Sequence, residues 1–181
     1  MGGGVTPLEV GGEVSIGRYA GGPGAPTTPA LAGLLVDAVA GGASVGFVAP
    51  LASDEAEDWW RAALADETTV TLVARVQDQL VGCVRLHLAP QANGAHRAEI
   101  GKLLVHSAAR RRGIASALLA AAEDEARALG RSVLVLDTET GSDAERLYRR
   151  HEWREVGVIN DYAAGVDGTL AATTIFTKRL S

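Results

Sequence analysis

An amphipathic helix between two apolar strands is the feature that most constrains the fold of this 181-residue chain. Apolar residues recur at helical spacing from Ile114 to Leu129, and Gly130 ends the pattern. Apolar segments at 97–105 and 132–136 lie on either side of this helix. A strand, a helix and a strand in this order form a crossover that places the two strands parallel in one sheet. The sequence therefore predicts a sheet with at least one parallel pair.

The remaining patterns add antiparallel strands and further helices to this unit. Two alternating apolar segments joined by Gln77-Asp78-Gln79 are typical of a hairpin. We therefore expect a mixed α/β fold, in which helices flank a central sheet. One domain would span residues 26–181, after a mostly flexible Gly- and Pro-rich segment, 1–25, with a short strand near 13–18. The other predicted elements are helices from Thr28 and Ser53, strands at 69–76 and 80–89, a helix at 142–151, and strands at 154–158 and 171–180.

Composition argues against several classes of function. A net charge of −5 is unfavourable for a nucleic-acid binder, which needs a basic surface. No apolar run is long enough to span a bilayer, and the four histidines lack metal-ligand spacing, so we expect neither a membrane nor a metal partner. The single cysteine, Cys83, lies in an alternating apolar run, where a packed strand residue is expected. The Arg-, Ala- and Gly-rich composition favours a bacterial, cytoplasmic protein.

The turn between the first crossover strand and its helix carries the clearest chemical signal. Glycine lets the backbone approach a ligand closely, and the free amides of a first helical turn hold phosphate or diphosphate groups. In isolation, a basic turn that only opens a solvated helix has the same pattern. This turn also lies beside the carboxyl ends of two neighbouring strands, where open α/β sheets bind ligands, and its position favours a functional interpretation. Its residues are Arg110, Arg111, Arg112, Gly113, Ile114 and Ala115.

These segments resemble the GNAT superfamily of N-acetyltransferases. The turn is similar to the acetyl-CoA signature of that family, and Ala144-Glu145-Arg146-Leu147-Tyr148 resembles its later A-x-x-L-Y helix. Segments spread from Gly41 to the C-terminus, among them Asp137-Thr138-Glu139, resemble the tabtoxin-resistance acetyltransferase group. The resemblance implies a GNAT fold, acetyl-CoA as cosubstrate, and acetyl transfer to the amine of a small molecule. It also implies an amino-acid-like toxin or antibiotic as acceptor, a role in resistance, and a homodimer.

The same resemblance assigns residues to the cosubstrate. Backbone amides of Leu103, Leu104 and Val105 would hold the acetyl carbonyl and the pantetheine arm. The amides from Arg110 to Ala115 would hold the pyrophosphate. The chain departs from the family pattern at Gly141, where many members have asparagine, and at Glu152-Trp153, which replaces their usual Gly-Phe.

Three side chains are candidates for acid–base chemistry. An alkyl amine is protonated at neutral pH, so acetyl transfer needs a proton acceptor, and the departing thiolate needs a proton donor. Glu99 is the first candidate acceptor, with a strand-edge carboxylate that faces water or pairs with Arg97 as the alternative. Asp137 is the second, with capping of the following turn as the alternative; the sequence leaves open which of the two is the base. Tyr148 is the candidate donor, and a purely packing tyrosine is the alternative.

The acceptor would lie against the first two helices and a loop near the C-terminus. Two other functions remain open: a protein acetyltransferase that acts on lysine or on chain termini, and a catalytically silent acyl-CoA-binding module. The silent module would need neither the Glu99 carboxylate nor the Tyr148 phenol. The candidate walls of the acceptor site are Ser44, Phe47, Trp59, Asp161 and Tyr162.

Overall fold

The computed structural model describes residues 11–22, 24–25 and 27–181, and it confirms the mixed α/β fold. Four helices flank one seven-stranded sheet in the described part of the chain. The strands are β1 (Val14–Arg18), β2 (Thr69–Val76), β3 (Gln79–Leu88), β4 (Arg97–Val105), β5 (Val133–Glu139), β6 (Arg154–Ala164) and β7 (Leu170–Arg179). The helices are α1 (Thr28–Ala40), α2 (Ser53–Leu64), α3 (Ile114–Ala128) and α4 (Asp143–Arg150).

The strands are ordered β1-β2-β3-β4-β5-β7-β6 across the sheet. Among the described strands, β4 and β5 form the parallel pair, and every other neighbouring pair is antiparallel. The crossover through α3 that the sequence predicts is therefore confirmed. β5 and β6 both run further than predicted, to Glu139 and Ala164, because β7 pairs with each of them over most of its length.

The N-terminal strand lies where the sequence predicts it. β1 pairs with β2 from Val14 opposite Val76 to Arg18 opposite Leu72, which adds an edge to the sheet. Of the rest of the predicted flexible segment, residues 1–10 and 23 lie outside the described residues. Its flexibility stays a prediction.

Each face of the sheet carries a buried apolar cluster. On one face, α3 and α4 pack with residues such as Leu118, Leu119 and Tyr148 against β3, β4, β5 and β7. On the other, α1 and α2 cover β2 and β3 with residues such as Leu35 and Trp60. Cys83 is fully buried in this second cluster, as expected for a packed strand residue. No helix in the described ranges has the length and hydropathy needed to cross a membrane.

Candidate active site

β4 and β5 separate after a short parallel stretch and leave an opening between them. Their pairing covers only Arg97–Glu99 of β4, which lies beside residues 133–135. Beyond this point β4 continues with β3, and β5 continues with β7. A bulge sharpens the divergence, because β4 has one residue more than β3 around Lys102, which takes a positive φ of 47°. The backbone from Gly101 to Val105 therefore borders a wedge-shaped crevice.

The predicted phosphate-binding turn lies beside this crevice and opens α3. Gly113 caps the helix with a φ of 79°, a left-handed conformation that glycine adopts without strain. The first helical hydrogen bond runs from the Ala117 amide to the Gly113 carbonyl, so the amides of residues 111–116 have no main-chain partner among the described residues. The first turn of α3 carries no acidic side chain. A cluster of free, outward-facing amides of this kind attracts anions.

The three arginines of the turn do not form one charged cluster. The Arg110 side chain donates from Nε to the Val105 carbonyl at 3.2 Å, and its Nη2 lies 3.8 Å from Asp37 Oδ2. Arg112 donates to the carbonyl of Gly12 at 3.5 Å. Arg111 is exposed and takes a positive φ of 61°. Arg110 and Arg112 therefore brace the turn, and the backbone amides are its main anion-binding groups.

Asp37 of α1 stabilises the segment before the turn, a role that the sequence does not predict. Its carboxylate accepts hydrogen bonds from the Ser107 amide at 2.8 Å and from the Ser107 hydroxyl at 2.6 Å. These contacts join residues 70 positions apart. No local pattern in the sequence indicates such a pairing, because only the packing of α1 on the sheet brings the two residues together.

Glu99 and Asp137 lie on the same face of the sheet and interact electrostatically. Glu99 pairs in register with Val135, two positions before Asp137, so the two carboxylates point to one side. Partial burial and the nearby charge of Asp137 raise the pKa of Glu99, against a smaller opposing effect of Arg97. Asp137 lies inside β5 and not at its end, and it accepts a hydrogen bond from the Thr173 hydroxyl at 3.0 Å. The same hydroxyl lies 2.9 Å from the Thr138 carbonyl, so its single proton is shared between the two acceptors.

Tyr148 reaches the crevice from the opposite face. Its ring is 5% exposed and packs against Trp153 and Phe176, with centroid separations of 5.8 and 6.0 Å. Burial, with a smaller contribution from Asp137, raises the pKa of the Tyr148 phenol above its usual value. The hydroxyl therefore stays protonated at neutral pH and has no hydrogen-bond partner among the described residues. Its ring packs, as the alternative interpretation expects, and its role as a proton donor stays a prediction.

Three side chains form an aromatic and cationic wall above the crevice. Phe47 and Trp59 meet edge to face at 5.8 Å, and the Lys102 ammonium lies 4.8 Å from the Trp59 ring centre. The same ammonium donates to the Val45 carbonyl at 2.6 Å. Burial, followed by the charge of Arg85, lowers the pKa of Lys102. The sequence predicts no role for Lys102, because the bulge that contains it arises from the pairing of β3 with β4.

The β6–β7 hairpin carries two of the predicted acceptor walls, and its tip contacts the α1–α2 loop. Asp161 and Tyr162 lie on β6 and not in a loop, which corrects their predicted setting, and both are exposed. Tyr162 and Phe47 are both predicted walls of the acceptor site, but no ring contact or hydrogen bond joins them within the described ranges. At the hairpin tip, the Val166 carbonyl accepts a hydrogen bond from the Ala49 amide at 3.0 Å. The hairpin thus contacts the α1–α2 loop, in which Ser44 is exposed.

The comparisons with known proteins agree with this architecture. The model of the acetyltransferase (GNAT) family matches residues 35–153. The chain belongs to the GNAT family. An N-acetyltransferase of Azospirillum brasilense is 36% identical over 104 residues, which cover 56% of this chain and 61% of that relative's length.

Solved GNAT structures superpose on nearly the whole chain. A ribosomal-protein-alanine N-acetyltransferase from Brucella melitensis gives a TM-score of 0.75 at 25% identity, over 92% of this chain and 99% of that one. A Salmonella typhimurium protein described as an acetyltransferase, solved with its cofactor acetyl-CoA, gives a TM-score of 0.75 at 19% identity. The superposition covers 93% of this chain and 95% of the Salmonella typhimurium chain. At that identity the likeness shows the fold alone.

The residues of this GNAT chain fit a thioester carrier with a diphosphate. A Cβ built on Gly113 meets no atom within 4 Å, so the space beside the turn is open on the side of the unpaired amides. The crevice between β4 and β5 runs from this turn toward Glu99 and Asp137. A cavity of about 290 Å³ lies next to Glu99, and its walls include His87, Arg97 and Val135. The cavity lies beside Glu99, and none of the predicted acceptor walls, Ser44, Phe47, Trp59, Asp161 and Tyr162, lines it.

Proposed function

We propose that this GNAT protein is an acetyl-CoA-dependent N-acetyltransferase that acetylates the amine of a small molecule. One observation carries the proposal: the opening between β4 and β5 joins the unpaired amides at the start of α3 to the Glu99–Asp137 pair. An anion-binding turn and a proton-accepting pair at two ends of one crevice suit a diphosphate-containing acyl donor and an amine acceptor.

The chain would hold acetyl-CoA mainly through its backbone. The unpaired amides of residues 111–115 would bind the pyrophosphate, because the Arg110 amide already donates to the Ser107 carbonyl. The amides of Leu103 and Val105 would bind the pantetheine arm and the acetyl carbonyl, because the Leu104 amide is directed at the Cys83 thiol of β3. When bound, acetyl-CoA supplies a thioester carbonyl that an amine can attack. The end of the β4–β5 pairing at Glu99 supports this assignment, since the β4 backbone beyond it has no β5 partner on the side of the crevice.

Three side chains would manage the protons. Glu99 accepts a proton from the acceptor amine, and its raised pKa brings it closer to neutral pH, where a base works best. Asp137, held by Thr173, binds the ammonium form or shares the role of base. Tyr148 donates its phenolic proton, or a hydrogen bond, to the departing thiolate, and its high pKa keeps that proton available.

A small acceptor suits the enclosure of the site. The Ala49–Val166 hydrogen bond ties the β6–β7 hairpin to the α1–α2 loop, which narrows the access that a peptide chain needs. Phe47, Trp59 and Ser44 would contact the acceptor, with Asp161 and Tyr162 at the rim. The resemblance to the tabtoxin-resistance group supports an amino-acid-like toxin or antibiotic as the acceptor, and hence a resistance role.

Protein acetylation is the second candidate function. It is supported by the 25% identity to an enzyme that is named for ribosomal-protein alanine. The two candidate functions differ in the acceptor that must pass beneath the β6–β7 hairpin. In the first it is a free small molecule, and in the second it is the end of a protein chain.

Thiol release from acetyl-CoA would separate these functions. The acceptor panel contains the free amino acids, tabtoxin, and a peptide that begins with alanine. We expect turnover with a free amine and little with the peptide; the reverse preference would favour protein acetylation. If acetyl-CoA gave neither binding heat nor a shift in melting temperature, the enzyme assignment would be wrong.

A further inference from the structure

His87 lines the cavity beside Glu99, and the proton transfers proposed above give it no role. It belongs to a row of residues that pair in register across four strands, so their side chains share one face of the sheet. His87 stands between Thr69 of β2 and Glu99 of β4, and Val135 of β5 continues the row. His87, Glu99 and Val135 all line the cavity of about 290 Å³.

A chain of hydrogen bonds fixes which ring nitrogen of His87 carries the proton. The Thr69 hydroxyl donates to Asp66 Oδ2 at 2.6 Å, and the same oxygen lies 3.0 Å from His87 Nδ1. A hydroxyl has a single proton, and that of Thr69 is committed to the carboxylate, so His87 Nδ1 must donate. Hydrogen bonds from Thr68 and Thr69 lower the pKa of Asp66 to about 2, which keeps it an acceptor. Nε2 of His87 therefore has a free lone pair.

The position of Nε2 places this lone pair at the crevice. A Cβ built on Gly101 would lie 3.1 Å from His87 Nε2, so the ring extends over the backbone of β4 where that strand leaves β5. Because residue 101 is a glycine, no side chain competes with the His87 ring for this space. Burial, followed by the charge of Arg85, lowers the pKa of His87, and the ring is neutral at pH 7. The charged groups around it are Arg85 on β3, Asp66 before β2, and Arg97, Glu99 and Lys102 on β4.

Acetylation of an alkylammonium needs two proton acceptors. The ammonium carries three N–H protons and the amide product carries one. The C–N bond forms as the C–S bond breaks, and the electron pair of the C–S bond leaves on sulfur. Sulfur takes up one proton, and the other is released to solvent. A second base beside Glu99 allows the first proton to leave before the amine attacks.

We propose that His87 is this second base, and that its Nε2 accepts the first proton of the acceptor ammonium. Nδ1–H stays bonded to Thr69, so the Asp66 carboxylate stabilises the imidazolium through the hydroxyl. His87 then returns the first proton to solvent along the cavity. Glu99 takes the second proton during attack, and this proton replaces, through solvent, the one that Tyr148 gives to the departing thiolate. This inference rests on the proposed acetyltransferase function and adds a catalytic residue to it.

The tautomer can be measured without turnover. Long-range ¹H–¹⁵N correlation spectra of the full chain at pH 7.5 should show His87 protonated at Nδ1 only. Thr69→Val removes the hydroxyl with little change in shape and should abolish this preference. Thr177→Val, which removes a comparable strand hydroxyl bonded to the Leu134 carbonyl, is the matched control and should leave it intact. A ring protonated at Nε2, or at both nitrogens, would overturn the proposal.

Turnover of two acceptors tests the role itself. His87→Gln should lower kcat/KM about 100-fold for the best alkylamine of the panel. It should change kcat/KM by less than about threefold for hydroxylamine, which is already neutral at pH 7.5 and needs no first deprotonation, once the uncatalysed rate is subtracted. Thr69→Val should follow the same pattern with a smaller loss. Equal losses for both acceptors would make His87 structural. Absence of wild-type turnover with every acceptor would instead contradict the acetyltransferase function.

Discussion

At the residue scale, the interaction of Glu99 with Asp137 has opposite consequences for activity and stability. The raised pKa of Glu99 means that the folded protein holds this proton at a higher pH than the unfolded chain does. A base must be unprotonated, so kcat/KM should fall as the pH decreases through that raised pKa. Ionisation of Glu99 also costs folding free energy as the pH rises above the pKa of an unfolded glutamate.

Glu99→Gln should therefore separate function from folding. We expect a loss of about 100-fold or more in kcat/KM, with acetyl-CoA affinity unchanged, because the amide cannot accept a proton. The melting temperature at pH 7.5 should not fall, since the substitution removes an unfavourable charge. In the variant, the acid limb of the pH–rate profile should lose the part that reports Glu99 and keep the part that reports His87. Parallel losses of cofactor binding and turnover would assign Glu99 a structural role.

Gly113 and Gly130 flank α3 and form a matched pair for testing the anion site. Both have positive φ values, 79° and 71°, and neither has an atom within 4 Å of a built Cβ. Alanine at either position should cost about 1 kcal/mol of folding free energy through backbone strain. Only Gly113→Ala should weaken acetyl-CoA binding, by about tenfold or more, since its Cβ would meet the diphosphate. Isothermal titration and thermal melts measure the two effects, and equal affinities would place the diphosphate elsewhere.

At the scale of secondary-structure elements, α1 supports the anion-binding turn although it is distant in sequence. Asp37→Ala removes two hydrogen bonds to Ser107 and the charge beside Arg110. We expect a loss of about 1–3 kcal/mol in stability and a weaker affinity for acetyl-CoA, with faster hydrogen exchange at 105–113. Asp124→Ala, which removes an exposed ion pair with Arg127, is the control and should change little. Unchanged exchange in the Asp37 variant would show that the turn is rigid without α1.

The elements also show what the sequence could predict. Local periodicity was enough for the crossover through α3 and for the β2–β3 hairpin, because both depend on neighbouring residues. The predicted end of β5 was wrong by three residues, since Asp137, Thr138 and Glu139 are kept in a strand by β7, far along the chain. The role of Asp37 and the Thr69–His87 contact could not be predicted, because each joins separate elements through tertiary packing. The roles of Glu99, Asp137 and Tyr148 stay predictions.

At the scale of the whole molecule, the β6 edge of the sheet is the surface that is suited to binding another chain. Beyond β7 the sheet ends at β6, whose outer edge pairs with no described strand. Five of the six exposed large apolar side chains of the described residues lie on β6 or at the start of β7. An open edge with a cluster of exposed apolar residues favours association with another chain. These five residues are Val156, Val158, Ile159, Tyr162 and Leu170.

We expect this edge to form the homodimer that the family resemblance implies. A two-fold contact would use the same surface on both copies, so a single charged substitution there acts twice. Val158→Lys should convert the dimer to a monomer in light scattering after size exclusion. Val48→Lys is the control, because Val48 is comparably exposed, at 53% against 48%, but lies in the α1–α2 loop. It should leave the dimer intact. Because β6 continues into the hairpin that bonds to Ala49, the monomeric variant should also show a raised KM for the acceptor. A wild-type protein that is monomeric at every concentration would contradict both expectations.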